Sequence, residues 1–272
     1  MDIQQLKSSK ILVIGDTCLD VYYFGACRRL SPEAPVPVFQ TIRKETKNGM
    51  ASNVADNLTG LGSSVELIAN THNIFKSRYI DERTKQHLLR VDDGDIEKIK
   101  EVSDKDIEDI DLSRFEAVVI SDYDKGFLPY DAMEKLLSKV YSFDPDMPVF
   151  IDTKKRSLSI FEAHSNCIIK INEFEYEQLE NSDCLTCELV VTRGSKGAQW
   201  VTENRNYEVV QTEVFDVCGA GDTFLAALVV GYLSFDQNLD KAIRFANECA
   251  SYSVRKLGTY AIKKEDLNDL RI

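Results

Sequence analysis

The segment DVCGAGD, Asp216–Asp222, opens onto an almost uninterrupted apolar run, TFLAALVVGYL. A helix starting there presents unpaired backbone N–H groups and a partial positive charge. Glycines let a ligand approach that backbone closely, because no Cβ stands in the way. Gly219, Ala220 and Gly221 are therefore candidates for an anion hole suited to a transferring phosphoryl group. Asp222 is the candidate general base, placed to take the proton of an attacking hydroxyl. The same four residues also fit a plainer arrangement, a tight turn followed by an aspartate that caps the helix. One position can serve both purposes.

Such residues need a frame. KILVIGD (10–16), EAVVISD (116–122), PVFIDT (148–153), NCIIKINEFE (166–175) and ELVVTRG (188–194) read as short buried strands ending in polar residues or glycine. Between and after them, 50–62, 130–141, 173–181, 221–233 and 238–256 read as helices. This alternation implies an α/β sandwich of three layers, a mostly parallel sheet with helices on both faces. Ligands of such sheets bind beyond the carboxyl ends of the strands. Asp16, Asp122, Asp152, Asn172 and Arg193 stand at those ends.

Two stretches, 21–45 and 74–92, alternate apolar with polar and lack a helical period. They are expected to form a small antiparallel β flap, or lid, whose exposed edge a second subunit would cover. The charged stretch 92–113 reads as a solvated connector with a short helix. With 33 basic and 45 acidic residues the net charge is −12, which weighs against a nucleic acid or an anionic membrane as partner. A chain of 272 residues without a transmembrane run or a signal-peptide layout is expected to be one soluble, cytoplasmic domain over 1–272. Seven irregularly spaced cysteines suggest reduced thiols. The lone CxxC, Cys184 and Cys187, has only His72, His87 and His164 as possible histidine companions and reads as non-metal.

Five motifs occur in an order that resembles the ribokinase-like, or PfkB, family of carbohydrate kinases over essentially the full length. They are GDTCLD (15–20), NGMASN (48–53), NEFE (172–175), VTRGSKG (191–197) and DVCGAGD (216–222). The resemblance implies a ribokinase-like fold with a β lid, ATP as phosphate donor and Mg2+ as cofactor. It makes Asp222 the base, with Gly219, Ala220 and Gly221 as the anion hole. Asp16, Asp20, Gly49 and Asn53 fall on the sugar side, and Asp20 and Asn53 are short, rigid hydrogen-bonding groups suited to hydroxyls. Lys154, Asn172, Glu175, Thr192, Arg193, Gly194, Gly197 and Asn247 fall on the nucleotide side. Lys154 and Arg193 are charge-assisted donors for phosphates, and Glu175 would hold magnesium through water. A monovalent cation, potassium, is implied near Asp216 and KLGT (256–259). A helix cap for Asp20 or Asn53 and a surface ion pair for Glu175 are the structural alternatives.

Within the family, RRLSPEAPVPVF (28–39), QHLLRVD (86–92), SDYDKGFL (121–128) and KLGT look like segments of the kinases acting on D-glycero-β-D-manno-heptose 7-phosphate. Those enzymes phosphorylate the anomeric hydroxyl to give the 1,7-bisphosphate used for ADP-heptose. The likeness makes Arg29, Arg90 and Lys125, with Arg28, candidate contacts for the substrate phosphate, and a homodimer through the lid is expected. No HxGH motif of a nucleotidyltransferase is present, so only the kinase half is expected. Several positions depart from the pattern: Asn48 precedes Gly49 in place of a second glycine, Asp124 replaces a glycine, Thr153 a proline, and Cys218 a threonine. A helix and a strand are also missing after VELIAN (65–70). A kinase of another sugar or sugar phosphate, or a silent nucleotide- or sugar-binding relative, remains the alternative.

Overall fold

Alternation along KILVIG sorts β1, Lys10–Gly15, between two faces. Ile11 and Val13 enter one apolar cluster, and Leu12 and Ile14 enter the other. The computed structural model describes residues 6–270 except 72, 96, 181–185 and 211. Beside β1 run β4 (Ser64–Ala69), β7 (Ala117–Asp122), β8 (Val149–Thr153), β9 (Cys167–Asn172) and β10 (Glu188–Thr192), all parallel. Two short strands, β11 (Ala198–Trp200) and β12 (Arg205–Tyr207), add antiparallel at one edge. The order across the sheet is β12-β11-β10-β9-β8-β7-β1-β4.

Both faces are covered. Helices α1 (Ala51–Gly60), α5 (Ala220–Ser234) and α6 (Leu239–Ser253) pack on the face of Ile11 and Val13. The short α2 (Asp104–Glu108) and α3 (Tyr130–Phe143) lie on the face of Leu12 and Ile14. Helix α5 is apolar all round because it is enclosed, with α1, α6 and β8 as neighbours. Its first turn opens at the carboxyl end of the sheet, beside Asn53 of α1.

The strand expected over 166–175 stops at Asn172, whose side chain caps α4 (Glu173–Glu177) in a reciprocal pair with Glu175. Helix α4 is therefore shorter than the expected 173–181, and residue 181 lies outside the described residues. Helix α6 ends at Ser253 rather than at 256, before the loop that carries KLGT.

The lid comprises β2 (Thr17–Leu30), β3 (Pro37–Met50), β5 (Phe75–Asp81) and β6 (His87–Asp93), in the order β3-β2-β5-β6. It was expected to be antiparallel, and it is mixed. β2 pairs antiparallel with β3, and β5 with β6, but β2 and β5 run parallel. The cause is local: β2 leaves directly from the end of β1, and β5 from the end of β4. β1 and β4 are parallel neighbours, so their continuations share a direction. The link from β4 to β5 is short, and β4 stands at the edge of the main sheet. Of the CxxC pair, Cys184 lies outside the described residues, as does His72. Cys187 is buried, and burial pushes its thiol up to about 11.

Candidate active site

Gly219 begins α5 in the left-handed conformation, with φ +78°. That conformation favours glycine, and a Cβ there would also crowd the Asn53 side-chain Nδ2 at 2.7 Å. The tight start brings Asp222 under α1, where only 3% of it is exposed. Asn53 Nδ2 donates to its Oδ2 at 2.8 Å, and the Tyr123 hydroxyl donates to its Oδ1 at 2.7 Å. Burial raises the carboxyl's pKa, the Asn53 and Tyr123 bonds oppose that, and the nearby Asp152 charge adds to it. Asn57 ties the two helices together, accepting from the Thr223 hydroxyl and the Ile262 amide, both at 3.0 Å. Of the expected anion-hole amides, that of Ala220 donates to Val217 O at 3.2 Å.

A second charged chain runs along the strand ends. Lys170 of β9 donates to Asp152 Oδ2 of β8 at 2.7 Å, both side chains being almost fully buried. A Cβ on Gly221 would lie 2.9 Å from Lys170 Nζ, so this ammonium sits directly against the first turn of α5. Lys154 pairs with Glu175, and Glu175 Oε2 accepts from the Asn172 amide at 2.8 Å. Burial would push Asp152 up, but Lys170 and Lys154 hold its carboxyl below the ordinary range. Among the described residues no cluster of three His, Cys, Asp or Glu converges as a metal site. Magnesium carried with a nucleotide needs only one or two protein carboxylates besides phosphate and water. Glu175 and the buried Asp152 Oδ1, which has no hydrogen-bond partner among the described residues, fit that requirement.

On one side of α5 lies a pocket of about 390 Å³. Thr192, Gly194 and Gly197 form one rim, Asn247 of α6 another, and Ala220 with Gly221 close the end nearest Asp222. Val209, Val214, Phe224 and Val254 make its walls apolar. Asn247 Nδ2 donates to Tyr207 O at 3.0 Å. Arg193 and Lys154 do not line this pocket; Arg193 turns to Gln199 and to Glu173, whose carboxylate is 3.7 Å away.

On the other side most of the polar groups are already engaged, although the buried Asp16 Oδ1 has no hydrogen-bond partner among the described residues. Asp20 is buried against Arg78, and a Cβ on Gly49 would come within 2.6 Å of its Oδ2. Asp16 is fully buried and accepts from the amides of Tyr123 at 2.8 Å and Lys125 at 3.3 Å, so it fixes the loop after β7. Lys125 pairs with Asp95 at 2.8 Å. Asp124, in a left-handed conformation at φ +53°, bonds Lys155 at 2.7 Å, which neutralises the charge it adds. Thr153 donates to Asp122 at 2.6 Å, and burial pushes Asp122 up to about 6.

Arg90 lies opposite Arg78 in the lid but is held by Asp92 at 2.7 Å. Arg29 is exposed near the far tip of β2, nine residues beyond Asp20 and so ~30 Å along the strand. Asp216 accepts from the Cys218 amide at 2.9 Å and the Gly258 amide at 3.0 Å.

The family model of the pfkB family carbohydrate kinases matches residues 63–266. The chain belongs to the pfkB family. As a member it is a phosphotransferase with an alcohol group as acceptor, on a ribokinase-like fold. Bifunctional protein HldE of Hydrogenovibrio crunogenus is 30% identical over 318 aligned positions, covering 99% of this chain and 64% of that protein. Its counterpart from a Marinomonas species is 32% identical, over 96% of this chain and again 64% of the relative. The pfkB chain thus spans about 64% of the curated relatives it matches. Since it has 272 residues, the 318 positions include stretches of the relative with no counterpart here. Among solved structures, phosphofructokinase-2 of Escherichia coli with substrates and products has a TM-score of 0.72 at 16% identity, over 97% of this chain and 98% of that one. The nucleoside kinase of Methanocaldococcus jannaschii has 0.69 at 18%, over 97% and 98%.

Three further groups stand at the site: Lys170, Tyr123 and Arg78. Lys170 had a signal, a lone charge inside the apolar strand CIIKIN, which a buried parallel strand does not carry without a partner. Tyr123 and Arg78 had none, because an aromatic after a strand and an arginine in an alternating strand are ordinary.

Proposed function

We propose that the chain is an ATP-dependent sugar kinase that phosphorylates the anomeric hydroxyl of D-glycero-β-D-manno-heptose 7-phosphate. One observation supports the chemistry best: a buried carboxylate, Asp222, bonded to Asn53 and one residue from the pocket-lining Gly221. The apolar pocket suits an adenosine, with its phosphates directed along Gly194 and Gly221 toward Lys154. Asp222 takes the proton of the sugar hydroxyl, and the amides opening α5 receive the charge of the moving phosphoryl group. Magnesium, when bound, neutralises phosphate charge, and Glu175 with Asp152 would hold it. Asp20, Gly49 and Asn53 position the sugar, while Asp16 keeps the loop after β7 in place. Lys125, Arg90 and Arg29 are the proposed phosphosugar contacts. The lid is the proposed homodimer surface, since Leu30, Ile42 and Leu89 are more than half exposed there. A cytoplasmic location accords with the family, and among the described residues no helix is long and apolar enough to cross a membrane.

The heptose assignment is supported by the lid segments and by the HldE relatives. A kinase of another sugar or sugar phosphate is favoured by one feature, the shortened link between β4 and β5 beside the lid. A coupled ADP-release assay decides between them. Heptose 7-phosphate is expected to outperform fructose 6-phosphate, ribose and unphosphorylated heptose; a preference for any of the other three overturns the assignment.

A further inference from the structure

The loop carrying KLGT is built around an ammonium. Lys47, near the end of β3, donates from Nζ to Leu257 O at 3.0 Å and to Thr259 O at 2.9 Å. Its charge lies 5.6 Å from the centre of the Tyr22 ring, and the carboxylates of Glu45, Asp216 and Asp20 act on it against the burial that opposes it. Gly258, between the two carbonyls, has φ +72°, and a Cβ there would fall 3.1 Å from Lys47 Nζ. The loop therefore wraps the nitrogen closely. Its amides are held in turn, Gly258 N by Asp216 Oδ2 at 3.0 Å and Thr259 N by the Tyr22 hydroxyl at 3.1 Å.

This set of donors has a recognisable chemistry. Two backbone carbonyls beside a carboxylate are the hard oxygen ligands that replace water around a monovalent cation. Lysine brings the same unit charge with three donors and no acceptor, on a tether anchored in the lid. Removing it would leave both carbonyls and Asp216 without a compensating charge. The loop also meets the anion hole: Thr259 Cγ2 would touch a Cβ placed on Gly219 at 3.2 Å. Whatever holds residues 257–259 thus supports the start of α5 from below.

We infer that the Lys47 ammonium is this chain's built-in monovalent cation, occupying the oxygen-lined position beside Asp216 where the resemblance implied potassium. The potassium expected from the sequence does not fit while the ammonium is there. Lys47 is a positioning residue that acts through the 257–259 loop on the glycines opening α5. The inference rests on the kinase reading for its effect on rate, but not for the presence of the cation position.

The test compares the wild type with Lys47→Met in tetramethylammonium chloride and in potassium chloride of equal ionic strength. Thermal midpoints are read without sugar, so a wrong sugar assignment leaves that arm intact. Rates are read with whichever sugar the assay above accepts. The wild type is expected to be indifferent to potassium in both. Lys47→Met is expected to lose roughly tenfold or more in rate, the effect of one charged hydrogen-bonding group, and to regain most of it with potassium. Its midpoint should rise with potassium and not with tetramethylammonium. Lys47→Ala should respond likewise to methylammonium, which restores the missing head group. Potassium activation of the wild type by several-fold overturns the inference even if neither variant folds. So does a Lys47→Met protein whose rate and midpoint both ignore potassium.

Discussion

The two sides of Asp222 are built on opposite plans. Toward α6 lies an open pocket of about 390 Å³ with valine and phenylalanine walls and a neutral asparagine at its rim. Toward the lid, several ionised groups have partners before any sugar arrives: Asp20 has Arg78, Lys125 has Asp95, and Lys155 serves both Asp122 and Asp124. An apolar cavity accepts a ligand of fitting shape and discriminates weakly. A web of paired polar groups admits only a ligand whose hydroxyls replace the bonds it breaks, and rejects one that leaves them unpaired. On the proposed function, the sugar is selected by exchange of partners and the nucleotide is accepted in preformed space.

The largest test of this division falls on the residue between the halves. Asp222→Asn keeps the size of the side chain and its place at the start of α5, but removes the proposed base. Turnover is expected to fall by about 10²–10⁴-fold, while nucleotide affinity, measured by calorimetry, stays close to that of the wild type. A variant within a few-fold of wild-type turnover would remove Asp222 from its proposed role. A large loss of nucleotide affinity would instead tie the carboxylate to the pocket and erase the boundary.

Next in size is Lys170, the buried charge behind Gly221. Lys170→Met leaves Asp152 in the interior with its Oδ2 unpaired and Lys154 3.8 Å from the other oxygen. Breaking a buried pair from one side costs about 3–5 kcal/mol, read as a lowered midpoint in urea unfolding. Adding Asp152→Asn to that variant removes the stranded charge and should restore part of the loss. If the single variant is as stable as the wild type, the Lys170–Asp152 pair is not the internal brace between β8 and β9 that the geometry describes.

Legibility in the sequence followed the same divide. Five of the eight strands of the main sheet were readable because buried parallel strands are continuous apolar runs, and each ended within a few residues of where it was expected; β4 and the short antiparallel β11 and β12, at the two edges, were not among them. NEFE read both as the end of a strand and as the start of a helix over 173–181; Asn172 and Glu175 cap each other and end the strand at Asn172. The lid's mixed pairing was not legible, because β5 takes its direction from β4, and that relation exists only once the sheet is assembled. The glycines around Asp222 were legible as a motif, but their cause was not. Gly219 takes a left-handed backbone beside the Asn53 side chain and Gly221 lies against the Lys170 ammonium, residues 166 and 51 positions away. Nor did anything in KNGM show that Lys47 would reach the KLGT loop.

The smallest effect is also the sharpest probe of partner exchange. In the free protein the Tyr123 hydroxyl donates to ionised Asp222, which opposes the rise that burial causes. Tyr123→Phe deletes that donor, so the carboxyl's pKa rises further, and the ionised base appears only at higher pH. The acid limb of kcat/KM, which reports free enzyme, is therefore expected to move up. Well above the limb, the rate should fall by about tenfold, the lower end of the worth of one hydrogen bond to a charged group. The limb of kcat reports the complex with substrate. If the sugar hydroxyl displaces the phenol from Asp222, the substitution leaves that second limb where it was. If both limbs move together, Tyr123 stays bonded to the base throughout the reaction, and the sugar enters without the exchange that the paired side of the site implies. An acid limb of kcat/KM that does not move at all would show that the bond to Asp222 does not exist in the working enzyme.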